Sequence, residues 1–363
     1  MTILFRADGS SSTGFGHLMR CSTLASRLVT RGAVVHLMGK FDDGCPEWVR
    51  SAFPGVIHRL VPSDGERVGP TMSAQNASWP TATQQADARQ CLSILSGSIR
   101  SGSVDCLVVD HYGLDSRWHR QVRPKCRMLF ALDDLGDRDM DVDVLLDQNR
   151  DETAAAALYG RRVGPDCRIL AGPKWSLVRE QFSSHGGRVH RPSVQAPPRI
   201  LILMGGSDPN ALTSRVLAEL SSFPIQLEIT AVIGDPRQLS RLRELAGSMS
   251  HVVDIRVAER DMAGVMSRTD VAISAAGSTV WELCCMGIPM LLSAQELNQS
   301  GVIRQAAMAG AALPLDDLEK AGLHTALRSM ISDGSLLESM SRAGQGLVDG
   351  QGAARVSEVI LNQ

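Results

Sequence analysis

The chain has 363 residues, enough for two cores of ordinary domain size. Hydrophobic residues make up 44% and charged residues 21%, which excludes a disordered or fibrous chain. With 37 Lys and Arg against 39 Asp and Glu, the formal charge of −2 offers no electrostatic footprint for nucleic acid or an anionic membrane.

The first eight residues, Met1 to Asp8, form too short an apolar run for a signal peptide. No stretch approaches the roughly 20 apolar residues of a membrane span. The eight cysteines contain no C-x-x-C pair, and runs such as Cys106-Leu107-Val108-Val109 read as buried free thiols in a reducing compartment. The expected location is the cytoplasm, with no stable membrane insertion.

Short apolar runs at 2–7, 34–38, 56–60, 104–110, 127–132 and 142–146 predict strands, with helices at 16–31, 87–98 and 116–122 between them. This rhythm of continuous apolar strands and intervening helices predicts a parallel sheet covered on both faces. Residues 62–85 are polar and long for a connection inside a compact domain. The composition of 183–198 reads as an interdomain linker. The rhythm then restarts, with strands at 199–204, 227–233, 252–256, 271–274 and 289–292 and helices at 211–221, 239–246, 261–267, 278–286 and 302–309. A helical tail from 315 ends at 353–361. The predicted fold class is therefore α/β, with two doubly wound, Rossmann-like parallel-sheet domains facing a cleft. Their predicted bounds are 1–182 and 199–363, joined by the linker 183–198. Ligands of such sheets are expected at the carboxyl ends of the strands.

Four loops carry chemistry. The run from Asp8 to Arg20 contains Gly14-Phe15-Gly16-His17 between the first strand and first helix, where free amides suit an anion. Position 19 is Met, so the G-x-G-x-x-G dinucleotide fingerprint fails. His17 is a natural general base near neutral pH, and a helix N-terminus favours its unprotonated form. Asp110-His111-Tyr112-Gly113 ends the fourth strand, where Asp110 could hold a histidine tautomer or accept a sugar hydroxyl. The same residues would also shape an ordinary turn. In the second half, Gly205-Gly206-Ser207-Asp208 and Gly277-Ser278-Thr279 each follow a strand and offer amides to phosphate. Glu282 could accept both ribose hydroxyls, or it could simply be a first-turn acid after a Ser278 cap. Asn298 and Gln299 supply amides for sugar hydroxyls.

Together these stretches resemble the UDP-2,4-diacetamido-2,4,6-trideoxy-β-L-altropyranose hydrolases of pseudaminic acid biosynthesis. Phe5-Arg6-Ala7-Asp8, Gly14 to Cys21, Asp110 to Gly113, Asp133-Asp134, Leu177 to Phe182, Met204 to Asp208, Gly277 to Glu282, Asn298-Gln299 and Asp349 to Ala353 carry the likeness in order. The family is related to the lipid II-forming N-acetylglucosaminyltransferase, so the resemblance implies the glycosyltransferase-B (GT-B) architecture. It further implies a UDP-sugar substrate on the C-terminal domain, with Glu282 on the ribose and the 277–279 turn near the phosphates. It implies that His17 activates water to invert the anomeric centre, releasing UDP and a free sugar. By matching position, Gly14, Gly16, Arg20, Asp110, His111, Tyr112, Arg179, Gly205, Gly206 and Ser207 are candidate substrate contacts. No metal ligand and no cofactor are expected, although Mg²⁺ can enter through the substrate diphosphate. The expected partners are enzymes of the same pathway. Three rivals stand beside this reading: a GT-B glycosyltransferase making a surface polysaccharide, a UDP-N-acetylglucosamine 2-epimerase, and a non-catalytic nucleotide-sugar binding protein.

Overall fold

The computed structural model describes residues 1–10, 15–42, 45, 47–62, 79–99, 101–185, 196–206, 208, 210–295, 299–315 and 320–362. The chain divides into two compact units, Met1–Leu177 with Gln351–Gln363, and Val178–Gly350. Among the described residues, no helix is long and apolar enough to cross a membrane.

The first unit runs β1 (Thr2–Ala7), α1 (Gly16–Thr30), β2 (Val34–Gly39), α2 (Glu47–Ser51), β3 (Val56–Arg59), α3 (Thr81–Ser98), β4 (Val104–Asp110), α4 (Ser116–Val122), β5 (Cys126–Leu132), β6 (Val144–Asp147), α5 (Glu152–Tyr159) and β7 (Arg168–Ala171). Its strands form one sheet of seven in the order β3-β2-β1-β4-β5-β6-β7, and the paired strands are parallel. The strands are apolar on both faces because each face carries its own core. Ile3, Phe5, Cys106 and Val108 join one cluster, while Leu4, Leu107 and Val109 join the other.

The second unit runs α6 (Glu180–Ser183), β8 (Arg199–Leu203), α7 (Leu212–Leu220), β9 (Glu228–Ile233), α8 (Leu239–Gly247), β10 (Val252–Val257), α9 (Met262–Met266), β11 (Val271–Ala275), α10 (Thr279–Met286), β12 (Met290–Ser293), α11 (Ser300–Met308), β13 (Ala312–Pro314), α12 (Lys320–Ser332) and α13 (Gly334–Leu347). Its parallel sheet has the order β10-β9-β8-β11-β12-β13. Leu201 and Leu203 face one core, Ile200 and Ile202 the other.

In both sheets the strand order reverses beside the first strand, between β1 and β4 and between β8 and β11. Loops leaving two neighbouring strands in opposite directions open a crevice there. The four loops singled out above leave β1, β4, β8 and β11, so each pair flanks such a switch point.

Several elements differ from the expectations. Helix α3 starts at Thr81, so the last part of the 62–85 polar stretch is helical. Its buried face is Gln84, Asp87, Ala88, Cys91 and Leu95, a helical spacing with two polar members that an apolar pattern misses. Residues 63–78 of that stretch lie outside the described residues. The chain changes units at 177/178, ahead of the expected linker, because Val178 and Phe182 pack into the second core. The last helix, α14 (Gly352–Leu361), was expected with the second domain. It belongs to the first unit, where Ala353, Val356, Val359 and Ile360 pack in the core that contains Phe5 and Leu24.

Candidate functional site

The first unit's switch point is built from charged residues that the sheet has removed from water. β1 and β4 pair with Ala7 opposite Asp110, so the first residues beyond these strands emerge side by side. Asp110 is fully buried at the last position of β4. A buried carboxylate needs partners, and it has several. Arg20 forks onto it, Nε to Oδ2 at 2.6 Å and a terminal nitrogen to Oδ1 at 2.5 Å, and the Cys21 thiol lies 3.7 Å from Oδ2. His17 Nδ1 lies 2.6 Å from Oδ1. Burial alone would push the Asp110 carboxyl up, but Arg20 and His17 outweigh it and hold it well below the usual carboxylate range.

Because Asp110 offers only acceptors, the His17 Nδ1 carries the proton and donates it. The lone pair of the neutral ring is then on Nε2, which has no hydrogen bond among the described residues. The ring is 14% exposed and packs edge-on against Tyr112, with centroids 4.6 Å apart. Among the described residues helix α1 has no side-chain N-cap, and its first turn holds no acid, so nothing negative on the helix competes with an incoming anion.

A second histidine–aspartate pair lies next door and has a different character. His111 Nδ1 accepts the Gly113 amide at 3.0 Å, so Nε2 is its donor, to Asp8 Oδ2 at 2.9 Å. Both nitrogens are committed and the ring is buried, which keeps it neutral: burial, more than its charged neighbours, lowers its proton affinity. Asp8 also pairs with Arg6, and Arg6 with Asp87, which takes Lys40 and the Trp118 indole as well. His111, expected at the substrate, is thus sealed inside a network that ties the ends of β1, β2 and β4 to α3 and α4. Gly113 adds a steric tie, since a Cβ there would come within 2.8 Å of three Trp79 ring atoms.

The polar network extends along the carboxyl edge. Arg20 reaches Asp134 Oδ2 at 3.3 Å, the Tyr112 hydroxyl donates to Asp134 Oδ1 at 2.5 Å, and Asn149 donates to Oδ2 at 3.2 Å. Burial beside Asp134 pushes the Tyr112 phenol well up, so it stays a donor. Arg150 donates to the Asp134 backbone carbonyl and to the carboxylate of Asp147, which burial raises to about 6. Arg20 and Tyr112 therefore stand next to His17 with their polar atoms engaged by the protein. Sequence reasoning missed Asp147, Asn149 and Arg150, although a polar run at a strand's carboxyl end was the available cue.

In the second unit, Gly205 has φ +86°, a left-handed conformation that favours glycine, and among the described residues a Cβ at Gly205, Gly206 or Gly277 would meet nothing within 4 Å. The backbone there is open to close approach. Helix α10 begins after Ser278 without a side-chain cap, so the simple capping role considered for Ser278 is not what the structure shows. By contrast, Asp208 caps the start of α7, accepting from Leu212 and Thr213 amides at 2.8 and 3.0 Å. Glu282 lies in the first turn of α10 and receives the Arg179 fork, Nε to Oε1 at 2.8 Å and a terminal nitrogen to Oε2 at 3.2 Å. Gln299 accepts the Gln295 amide at 2.9 Å, and Gln295 donates to the Met204 carbonyl at 3.0 Å, joining the loops after β8 and β12. Gly14, Ser207 and Asn298 lie outside the described residues. Among the described residues no group of three or more His, Cys, Asp or Glu is disposed to hold a metal ion.

Residues 200–355 match the glycosyltransferase family 28 C-terminal domain. The spore coat polysaccharide biosynthesis protein SpsG of Bacillus subtilis is 30% identical over 200 residues, 53% of this chain and 58% of that protein. The UDP-2,4-diacetamido-2,4,6-trideoxy-beta-L-altropyranose hydrolase of Campylobacter jejuni is 23% identical over 283 residues, 78% of this chain and 87% of the hydrolase. Among solved structures, MurG of Acinetobacter baumannii superposes with a TM-score of 0.65 at 15% identity, covering 100% of this chain and 99% of MurG. Two parallel α/β units, of seven and six strands, together with that likeness, give the chain the GT-B fold.

Proposed function

We propose that this chain is a UDP-sugar hydrolase that cleaves the anomeric C–O bond of a UDP-linked diacetamido-trideoxy sugar. What supports the reading most is the contrast between the two histidine–aspartate pairs. His111 has both nitrogens committed, whereas His17 has its proton fixed on Nδ1 by Asp110 and, among the described residues, its Nε2 lone pair uncommitted, at the switch point of its sheet. That is the state a general base needs, and such a base contributes about 10²–10⁴-fold.

In the mechanism, water donates a hydrogen bond to His17 Nε2. As its oxygen attacks the anomeric carbon from the face opposite UDP, the proton passes to Nε2 and the C–O bond to the diphosphate breaks. The sugar is left inverted. UDP departs as a stable anion, so a strong general acid is less necessary than in glycoside hydrolysis. Asp110 stabilises the imidazolium as it forms. In the second unit, the uncapped start of α10 and the open backbone at Gly205, Gly206 and Gly277 suit the diphosphate. Glu282 would accept the ribose hydroxyls, held in place by Arg179. The likeness to the hydrolase of C. jejuni over 78% of the chain supports the sugar class.

A second reading, transfer of the sugar to an acceptor, is favoured by the match of residues 200–355 to a glycosyltransferase domain. The test is a panel of UDP-amino sugars assayed for UDP release without any acceptor, in the wild type and in His17→Gln. Hydrolysis predicts acceptor-independent release that the variant loses while still binding UDP. Release that needs an added acceptor would favour transfer, and none under either condition would favour a binding protein.

A further inference from the structure

A carboxylate beside an imidazole normally raises its affinity for protons, which would leave a base charged and idle at lower pH. Here the carboxylate is shared. Arg20, one helical turn after His17 on α1, occupies both oxygens of Asp110 at 2.5 and 2.6 Å. Its terminal nitrogen stands 3.2 Å from His17 Nδ1. Since Nδ1 already donates to Asp110, that approach is a like-charge contact whenever the ring is protonated. The guanidinium is tethered at its other end by Asp134, at 3.3 Å, which in turn accepts from the Tyr112 hydroxyl and Asn149.

We propose that Arg20 is a positioning residue that offsets the charge of Asp110 and so keeps His17 unprotonated, while Asp110 still fixes the tautomer. This rests on the reading of His17 as the base, but it concerns the chain's own proton affinity. Among the described residues, the charged and titratable groups against the ring are Arg20 from α1 and Asp110 and Tyr112 from the end of β4, with Cys21 of α1 on Asp110 and Asp134, after β5, on Arg20. Arg150 and Asp147 stand behind Asp134. Arg20 is the cation closest to His17 in this set, so its removal leaves the carboxylates unopposed at the ring.

The experiment is an NMR titration of histidine side chains in the full chain, with the His17 signal assigned by its loss in His17→Gln. Arg20→Gln should move the His17 midpoint up by about one unit or more, the usual scale for one adjacent charge. The acid limb of UDP release should move with it. Should Arg20→Gln fail to fold, Asp110→Asn and Arg20→Gln/Asp110→Asn form a second pair without the bare carboxylate. The midpoint is then expected to be higher in the double variant than in the single. Equal midpoints in either comparison overturn the proposal, as does a raised KM with an unmoved acid limb, which would make Arg20 a substrate contact. A shifted midpoint in a chain that releases no UDP upholds Arg20's role and sinks only the proposed activity.

Discussion

Asp110→Asn separates what this carboxylate does for the fold from what it does for chemistry. Asp110 is fully buried and accepts from His17 Nδ1 at 2.6 Å and from Arg20 at 2.6 and 2.5 Å. Without the Asp110 charge, Arg20 keeps only Asp134 as an ionic partner among the described residues, at 3.3 Å. Removing one partner of a buried ion pair costs about 3–5 kcal/mol. For a unit of this size that corresponds to a fall in Tm of roughly 6–20 °C. Asparagine has one oxygen for the three N–H groups the carboxylate accepted, and with its N–H turned to Nδ1 either the imidazole turns or its proton moves to Nε2. In both cases the base is lost, and UDP release should drop by about 10²–10⁴-fold. Calorimetry reads the first effect, and a coupled UDP-release assay well below the new Tm reads the second. A destabilised variant with wild-type turnover would refute the catalytic half and leave Asp110 as scaffolding.

Glu282→Ala should weaken UDP binding about tenfold or more, the worth of hydrogen bonds to a charged acceptor; an unchanged Kd by calorimetric titration would displace the ribose assignment. His119 is buried and held neutral, with burial lowering it to about 3, whereas the unfolded chain takes up that proton near 6.5. The unfolded state therefore binds more protons between about pH 3 and 6.5, and stability falls as pH drops through that window by up to about 1.4 kcal/mol per unit. His119→Gln should flatten the slope between pH 4 and 6 in denaturant titrations, and an unaltered slope would contradict the burial account. Gly113→Ala would put a methyl group 2.8 Å from the Trp79 ring, an overpacking worth about 1–3 kcal/mol. Unchanged thermal unfolding would show that Trp79 can retreat.

The two sheets were legible because strands buried on both faces read as unbroken apolar runs, as in Cys106-Leu107-Val108-Val109. The loops after β8 and β11 were legible because small residues followed those runs, and the loop after β4 because polar residues ended its strand. Less was visible where burial is polar. Asp87 and Gln84 sit on the inner face of α3, satisfied by Arg6, Lys40 and Trp118 and by Asp115, a burial that an apolar pattern does not register. Nor does residue type show that Arg20 and His111, candidate substrate contacts, have protein partners of their own. Spacing cannot show which of two histidines has an uncommitted nitrogen. The final helix escaped for another reason, since an amphipathic pattern does not state which core it will cover.

The most direct measurement is hydrolysis of the UDP-sugar in H₂¹⁸O, followed by mass spectrometry of both products and NMR of the sugar. Water attack at the anomeric carbon predicts label in the sugar alone, an inverted first-formed anomer, and loss of both signals in His17→Gln. Label in the UDP, or undiminished release by His17→Gln, would contradict the role given to that imidazole.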